Sequence, residues 1–420
     1  ETDSELYRDC GSDGVEERPE LMRIVCLSSI IDDSFIEKNL LDEALSTADS
    51  NYNYRIVQGI DENNDSPCIL LNYVPVGSYP HYGNILLHTK RWRKDKRDDS
   101  LNIGFINITG LKYISLAFNY SLKLKSILAH SSEKVYVICY DLYLPFLVIV
   151  NHLSKQYPNL ISCLVVPAFP EHVMRHTLKE RLKGRISKWL MKEAIRFRCF
   201  IFLTEYMKEK IRTENYTIVE GIIPEGYIVE NIDKTAKDKN SEFTIAYTGR
   251  LDKLFQIDLL VEAVRNIKNY KVKLKLCGHG DLVPQIKRVC LSDIRIEYLG
   301  FLNKDDLADL QQNVDILINT RSPEDEYTKY SFPSKTMEYL ASGTPVLMYK
   351  LPGIPEEYDK YLNYVNGPAA EDIQNSIEKL IEELINGRAS NKARDAREYV
   401  AQFKNYKAQG KKVLDLLKKQ

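Results

Sequence analysis

A group of polar residues in the second half of the chain has a spacing suited to binding an anion. The group is Ser331, Ser334, Lys335 and Glu338. On a helix these positions share one face, and a helix N-terminus attracts anions through its free N–H groups and dipole. Lys335 in the first turn therefore indicates a phosphate, and Glu338 could accept hydrogen bonds from a ribose. A solvated helix face with a serine cap explains the spacing equally well.

The segment around these residues predicts a helix and then a strand. We expect the helix from about Pro333 to Ser342, because Gly343 suits the left-handed position that ends a helix. The apolar run Pro345–Met348 predicts a buried strand directly after it.

A second set of candidates follows the predicted strand Phe243–Tyr247. Gly249 permits a close backbone approach, and Arg250 could hold phosphate oxygens through two N–H groups. Lys253 adds a further cation before the next predicted helix. Taken alone, a strand followed by Gly and Arg is weak evidence for a phosphate site.

A third set follows the predicted strand Lys273–Cys277, where Gly278 and Gly280 are separated by His279. This G-x-G turn could support a nucleobase or a ribose. It lacks the third glycine of a dinucleotide fingerprint, which argues against a nicotinamide cofactor.

The elements that must position these residues belong to an α/β protein. Apolar runs of strand length alternate with helical segments, which predicts right-handed crossovers and parallel sheets. Besides those named above, the predicted strands are Leu21–Leu27, Cys68–Leu71, Ile103–Ile106, Val135–Tyr140, Ile161–Val166, Phe200–Leu203, Thr217–Val219, Ile294–Tyr298 and Asp315–Ile318.

The length of 420 residues exceeds the roughly 250–300 residues that one core supports, so two domains are expected. We predict a disordered acidic tail at 1–20, an N-terminal domain at 21–235 and a C-terminal domain at 240–400. The polar stretch Pro224–Glu242 is the predicted linker. A last helix at about 400–420 is expected to pack back on the first domain.

The charge balance of 58 Lys and Arg against 59 Asp and Glu argues against a nucleic-acid binder, which must neutralise many phosphates. Eight cysteines form no zinc-like spacing and sit mostly in apolar runs, which indicates buried thiols in a reducing, cytoplasmic setting. No apolar stretch reaches the roughly 18–20 residues that span a bilayer, so we expect a soluble or peripheral protein.

Residues 246–349, taken in order, resemble the retaining glycosyltransferases of family 4, which have the GT-B fold. The segments that carry the resemblance are Y-T-G-R-L at 247–251, L-C-G-H-G-D at 276–281, D-I-L-I-N-T-R at 315–321 and S-F-P-S-K-T-M-E-Y-L-A-S-G-T-P-V-L at 331–347. More specifically, the chain looks like bacterial enzymes that build capsular, exopolysaccharide or other surface glycans. The resemblance implies two Rossmann-like, doubly wound domains that face each other across a cleft. The N-terminal domain would bind the acceptor, and the C-terminal domain would bind the nucleotide-sugar.

The resemblance also implies roles for single residues. Arg250, Lys253 and Lys335 would lie near the diphosphate of a nucleotide-sugar donor, with Glu338 on the ribose and Arg321 as a further phosphate ligand. The family usually needs no metal or other cofactor, because cations and a helix N-terminus neutralise the leaving diphosphate. Retention is generally explained by front-face attack, in which the leaving phosphate takes the acceptor's proton.

Two positions depart from the family pattern. Eight positions before Glu338 the family has a second Glu, whereas this chain has Tyr330. That acid is either missing or supplied by Glu324 or Glu326 in the preceding loop. Ala168 stands where relatives of this type have an active-site acid, through divergence or deliberate substitution. In the same loop, Glu171 and His172 are candidates for orienting the acceptor, although His172 could equally replace a packed aromatic.

Two basic clusters remain, at Lys90–Arg97 and Lys179–Arg198. The second holds eight cations and two acids interleaved with apolar residues, as an amphipathic helix on an anionic membrane would require. A solvated helix face explains it equally well.

The sequence therefore predicts a retaining hexosyltransferase that moves a sugar from a nucleotide donor to a glycan acceptor, lipid-linked and in surface polysaccharide synthesis. Two alternatives stay open, a nucleotide-sugar epimerase and a non-catalytic glycosyltransferase-like partner. Ala168 and Tyr330 favour the non-catalytic partner.

Overall fold

The computed structural model describes residues 22–31, 35, 47–92, 100–170, 178–223 and 237–420. The predicted tail at 1–20 and residues 224–236 of the predicted linker lie outside these ranges, as do Glu171 and His172.

The first half of the chain forms an eight-stranded sheet and a small two-stranded ladder. Its strands are β1 (Arg23–Ser28), β2 (Ile69–Asn72), β3 (Leu86–Leu87), β4 (Lys90–Arg91), β5 (Leu101–Asn102), β6 (Phe105–Ile106), β7 (Val135–Tyr140), β8 (Leu160–Val166), β9 (Cys199–Phe202) and β10 (Tyr216–Ile218). The large sheet has the order β10-β9-β8-β7-β1-β2-β5-β4, and β3 pairs with β6. Except for the antiparallel β4–β5 pair, its strands are parallel.

Helices cover both faces of this sheet. They are α1 (Thr47–Asp61), α2 (Leu111–Ala129), α3 (Leu144–Leu153) and α4 (Leu178–Ala194). Along β7, Val135 and Val137 pack in the core with α2, α3 and α4, while Tyr136 and Ile138 pack in the opposite core with α1. Because both faces are buried, the central strands β7 and β9 are continuous apolar runs rather than alternating ones.

The second half of the chain forms a six-stranded parallel sheet. Its elements are β11 (Glu242–Arg250), α5 (Ile257–Asn266), β12 (Lys271–His279), α6 (Val283–Ser292), β13 (Ile296–Gly300), α7 (Lys304–Asn313), β14 (Ile316–Asn319), α8 (Ser334–Ser342), β15 (Val346–Met348), β16 (Asn363–Tyr364), α9 (Ala370–Ile385) and α10 (Arg388–Phe403). The strand order is β13-β12-β11-β14-β15-β16. The predicted α/β class with two doubly wound sheets is confirmed.

The last helix, α11 (Tyr406–Lys418), returns to the first sheet and packs beside α1. Val413 and Leu417 join the same core as Ile56. The two helices cross with their backbones in contact, since a Cβ added at Gly410 would lie 2.0 Å from the backbone carbon of Gly59.

Two predicted strands differ from the structure. The run Ile103–Ile106 is not one strand, because the chain passes from β5 to β6 at Gly104, where a Cβ would lie 2.4 Å from the carbonyl oxygen of Leu87. The strand predicted from Ile294 begins two residues later, because Asp293 and Arg295 form a turn in which Ile296 N donates to Asp293 O at 3.1 Å.

Six of the described cysteines are buried and free, as expected for thiols used as small apolar groups. Within the described residues, no helix combines the length and apolarity needed to cross a bilayer.

Candidate functional site

The predicted glycines lie side by side where two parallel strands end. The register pairs Gly249 of β11 with Gly278 of β12. A Cβ on Gly278 would lie 1.8 Å from the carbonyl oxygen of Gly249, so a larger residue would separate the strands. At φ 135°, Gly278 also adopts a conformation that favours glycine. The pair forms a flat backbone surface at the ligand-binding edge of the sheet.

Arg250 is held at this edge by an acid that the sequence analysis missed. Its Nε donates to Asp252 Oδ2 at 2.7 Å, and the Arg250 side chain is 59% exposed. Asp252 Oδ1 accepts from Asp281 N at 2.8 Å, which ties the two loops together. Partial burial alone would raise the pKa of Asp252, but the Asp281 amide and the Arg250 guanidinium outweigh it and hold the pKa below its usual value.

Lys253 is exposed in the 3₁₀ turn Lys253–Phe255, which follows Asp252. Gly280 lies against the same acid, since a Cβ there would be 2.4 Å from Asp252 Oδ1. These two predicted residues therefore belong to the same loop pair as Arg250.

Helix α8 begins at Ser334, and Gly343 ends it in the left-handed conformation, as predicted. Lys335 Nζ lies 2.8 Å from Glu338 Oε2, with side chains 32% and 21% exposed. The two residues predicted to bind phosphate and ribose are therefore ion-paired with each other. Both roles stay predictions, and a ligand that uses both residues must open or bridge this pair.

The N-terminus of α8 has unused hydrogen-bonding capacity. Its N-cap residue, Pro333, provides no side-chain cap, and Ser331 Oγ is buried with no hydrogen-bond partner among the described residues. Ser334 is exposed at the first helical position. The helix end can therefore donate to an anion.

The position of α8 depends on Tyr339, a residue that the sequence analysis treated only as part of a motif. Thr248 N donates to Tyr339 Oη at 2.9 Å, and Gln311 Nε2 donates to Thr248 Oγ1 at 3.2 Å. All three side chains are buried, and burial raises the pKa of Tyr339. This network fixes the helix against β11, beside Gly249.

Arg321 follows β14 at the same edge of the sheet. Its guanidinium carbon lies 5.3 Å from the ring centre of Phe255 and 5.5 Å from that of Tyr327. Arg321 Nε and the Tyr327 hydroxyl are buried without hydrogen-bond partners in the described part of the chain. The cation is thus held between two rings with donor capacity to spare.

Both departures from the family pattern lie at one contact between the two halves. Ala168 is exposed just beyond β8, and the ring of its neighbour Phe169 meets the ring of Tyr330 edge-on at 5.6 Å. The Tyr330 hydroxyl donates to Glu209 Oε2 at 3.3 Å, and Lys210 Nζ lies 5.3 Å from the ring centre. Tyr330 therefore joins the domains where the family pattern has an acid.

An acid missed by the sequence analysis lies at the neighbouring strand end. Asp141 follows β7 with φ 71°, a strained value for a residue other than glycine, and its amide donates to Val165 O of β8 at 3.0 Å. Its side chain is exposed, yet the protein around it excludes much of the water. That desolvation, with the charge of Asp49, raises the pKa of Asp141 to about 6 despite the hydrogen bond from Leu142 N. The left-handed backbone gives no signal in sequence.

A buried ion cluster joins Glu220, near the end of the first half, to Glu357 and Lys404 in the second half of the chain. Lys404 Nζ binds Glu220 Oε1, with side chains 4% and 2% exposed, and contacts Glu357 Oε1 at 2.8 Å. The Tyr358 hydroxyl donates to Glu220 at 2.7 Å. Beside this cluster Gly221 packs against α8, because a Cβ there would lie 2.6 Å from Met337 Cγ.

Comparison with known proteins agrees with this architecture. Residues 242–383 match the family of glycosyl transferases group 1. The lipopolysaccharide outer core galactosyltransferase WaaB, without ligand, superposes with a TM-score of 0.60 at 13% identity, covering 95% of this chain and 99% of that one. Anabaena HepE with UDP and glucose gives 0.62 at 15% identity, covering 95% and 100%. This chain has the GT-B fold.

Two curated relatives add support from sequence. The chain is 26% identical to the uncharacterized glycosyltransferase MJ1607 of Methanocaldococcus jannaschii over 182 residues, 41% of this chain and 43% of that protein. It is 24% identical to the gpi3 subunit of the phosphatidylinositol N-acetylglucosaminyltransferase of Schizosaccharomyces pombe over 172 residues, 39% and 36% of the two chains. The match spans less than half the length of these relatives. Together the comparisons support a place in the GT-B glycosyltransferase superfamily.

Proposed function

We propose that this protein is a glycosyltransferase which moves a sugar from a nucleoside diphosphate donor to a glycan acceptor with retention of configuration. The observation that carries the proposal is the meeting of the Gly249–Gly278 surface, the exposed Arg250 and the uncapped start of α8 at one sheet edge. Backbone N–H groups, a helix dipole and cations are the groups that stabilise a leaving diphosphate.

In this proposal, different residues bind different parts of the donor. Arg250, Lys253 and Lys335 neutralise the two phosphates, and Arg321 offers its unused Nε to the same groups. Glu338, released from Lys335 when phosphate takes that cation, accepts from the ribose hydroxyls. The expectation that no metal takes part agrees with this supply of cations.

Asp141 supplies the acid that Ala168 lacks. It directly follows β7, the strand next to β8, at the sheet edge where the acceptor and the donor would meet. In a front-face mechanism the leaving phosphate takes the proton, so the proposed task of Asp141 is to hold the acceptor hydroxyl by a charge-assisted hydrogen bond.

The acceptor that we propose is a lipid-linked glycan in surface polysaccharide synthesis. WaaB, named for the lipopolysaccharide outer core, and the gpi3 subunit, named for phosphatidylinositol, support this choice. The basic face of α4, where Lys188 and Lys192 are exposed beside Trp189, is suited to a peripheral position on an anionic membrane.

Calorimetry with UDP tests the donor site first, because structures of HepE hold UDP and UDP-glucose. We expect Lys335→Met to weaken binding by about 10-fold or more, as expected for the loss of one charged hydrogen bond. Lys271→Met is the matched control, because Lys271 is exposed at the opposite end of β12. Equal affinity of both variants would contradict the assignment, and a panel of other nucleoside diphosphates covers a different base.

Turnover separates an enzyme from a non-catalytic partner. Nucleotide binding without transfer or hydrolysis, together with a gain of activity in Ala168→Asp, would show that the chain is disabled at this position. Because Ala168 is exposed, the added carboxylate meets no burial cost. We expect wild-type transfer and little change in Ala168→Asp, since Asp141 already supplies the acid.

A further inference from the structure

Helix α2 is apolar on both of its faces. Its inner face, with Leu116, Tyr120 and Leu124, is buried against the sheet. On the opposite side lie Leu111, Ile114, Phe118 and Leu122, which are 46%, 67%, 62% and 52% exposed. The surface of a soluble domain normally places polar side chains on such an outer stripe.

The stripe continues onto the small ladder beside it. Leu86 of β3 and Ile106 of β6 are exposed, and Ile106 N donates to Ser115 Oγ of α2 at 3.0 Å. Between ladder and helix lies a groove of about 340 Å³. We name Leu86, Ile106, Leu111, Ile114, Phe118 and Leu122 the outer apolar surface. An apolar patch of this kind marks a contact with a protein or a membrane.

The described residues of the two segments that carry the outer apolar surface have charges of one sign. Described residues 66–92 and 100–132 contain five Lys and Arg and no Asp or Glu. Lys90 and Arg91 are exposed on β4, and Lys123 is exposed on α2. The whole chain has a formal charge of −1, so these segments are more basic than the chain as a whole. Lys112 is buried, with Nζ donating to Val76 O at 2.5 Å.

Helix α4 lies on the same side of the sheet. Ala194 of α4, Phe146 of α3 and Leu116 of α2 all belong to the core on that side, and the other side is covered by α1 and α11. The exposed Ile186 and Trp189 of α4 therefore lie on the same side of the sheet as the outer apolar surface.

We propose that the outer apolar surface docks on an anionic lipid bilayer, with its apolar side chains at the acyl boundary and the surrounding cations at the headgroups. Apolar burial and attraction to anionic lipid are the two terms that hold interfacial helices. A protein partner could cover an apolar patch, but it would not require the excess of cations in this part of the sequence, nine Lys and Arg against three Asp in residues 66–132.

Docking in this way places the membrane near the proposed acceptor site. Tyr113, in the first turn of α2, lies 5.9 Å from Tyr143 between ring centres, and Tyr143 is two residues beyond Asp141. A lipid-linked acceptor would thus emerge close to that acid. This last step rests on the proposed function, whereas bilayer binding does not.

Flotation of the full chain with vesicles tests the proposal. We expect binding to phosphatidylcholine vesicles that contain about a third phosphatidylglycerol, weakened but not abolished at high salt because only the charged term is screened. Ile114→Ser/Phe118→Ser should lower the partition coefficient by about 100-fold, since burial of each side chain contributes roughly a factor of ten or more.

The control variant is Leu291→Ser/Phe301→Ser, which removes two apolar side chains that are 89% and 67% exposed in the second half. It should bind vesicles like the wild type. Absence of vesicle binding by the wild type, or equal losses in both variants, would overturn the proposal. Wild-type self-association in light scattering that Ile114→Ser/Phe118→Ser abolishes, without vesicle binding, would assign the surface to a second copy instead. UDP affinity of each variant, measured in parallel, keeps this result separate from the donor site.

Discussion

The ion pair between Lys404 and Glu220 offers a quantitative test of what holds the two halves together. Lys404→Met removes the cation and leaves the Glu220 carboxylate, 2% exposed, with a hydrogen bond from the Tyr358 hydroxyl but no ion pair to Lys404. Breaking a buried pair in this way costs about 3–5 kcal/mol, because the remaining charge stays out of water. For a domain of 150–250 residues this corresponds to a melting temperature lower by roughly 6–20 °C.

Two further variants show whether burial is the cause. Glu357→Gln removes the other acid bound to Lys404, but this side chain is 47% exposed, so its loss should cost about 0–1 kcal/mol. Lys404→Met/Glu220→Gln removes both buried charges and should be more stable than Lys404→Met alone. Ile223 N also donates to Lys404 O at 3.0 Å. Because both groups belong to the backbone, this hydrogen bond between the two segments can form in every variant.

The measurement is thermal and denaturant unfolding of the four proteins under the same conditions. Non-coincident transitions of the two halves would be fitted separately, since multi-domain chains need not unfold in one step. The reasoning would be refuted by a Lys404→Met variant that is as stable as Glu357→Gln. A double variant no more stable than Lys404→Met would refute it as well, because it would mean that no buried charge had been stranded.

Three further predictions concern packing and the site. Gly410→Ala should lower stability, because the new Cβ meets the backbone of α1, whereas Gly184→Ala in α4 meets nothing within 4 Å and should raise it by about 0.5–1 kcal/mol in unfolding experiments. Asp141→Asn should slow transfer by about 10–150-fold at pH 7–8. Transfer by the wild type should rise with pH through about 6, where Asp141 ionises, and a pH–rate profile of the variant should lack this limb. Tyr339→Phe removes the hydroxyl that accepts from Thr248 N. It should lower the free energy of unfolding by about 1–3 kcal/mol and weaken the binding of UDP measured by calorimetry.

The sheets could be predicted from the sequence because parallel strands are buried on both faces. Val135–Tyr140 was bounded correctly, and Ile161–Val166 differs from β8 by one residue. Each is a continuous apolar run with no polar face to confuse its limits. Helix α8 was predicted to within one residue for a related reason, since Pro333 and Gly343 mark its ends.

The residues that join distant segments could not be predicted in this way. Glu220 and Lys404 are 184 positions apart, and nothing in either neighbourhood marks a buried charge. Asp252 was visible beside Arg250, but its role depends on the Asp281 amide, which only the fold brings near. The basic pattern of α4 drew attention to one helix, whereas the exposed stripe of α2 looks in sequence like an ordinary buried helix.

The two departures from the family pattern have a common physical basis in the fold. An acid at position 330 would lie against the ring of Phe169, with both Glu209 and Lys210 nearby. Low solvent access disfavours a carboxylate there, and the charges of Glu209 and Lys210 oppose each other. A tyrosine at that position buries its ring and gives its hydroxyl to Glu209, so it stabilises the contact between domains. With no acid at 330 or 168, our proposal takes the carboxylate in this part of the cleft from a neighbouring strand end. Asp141 directly follows β7, and its strained backbone has a cost that a role at this site would explain.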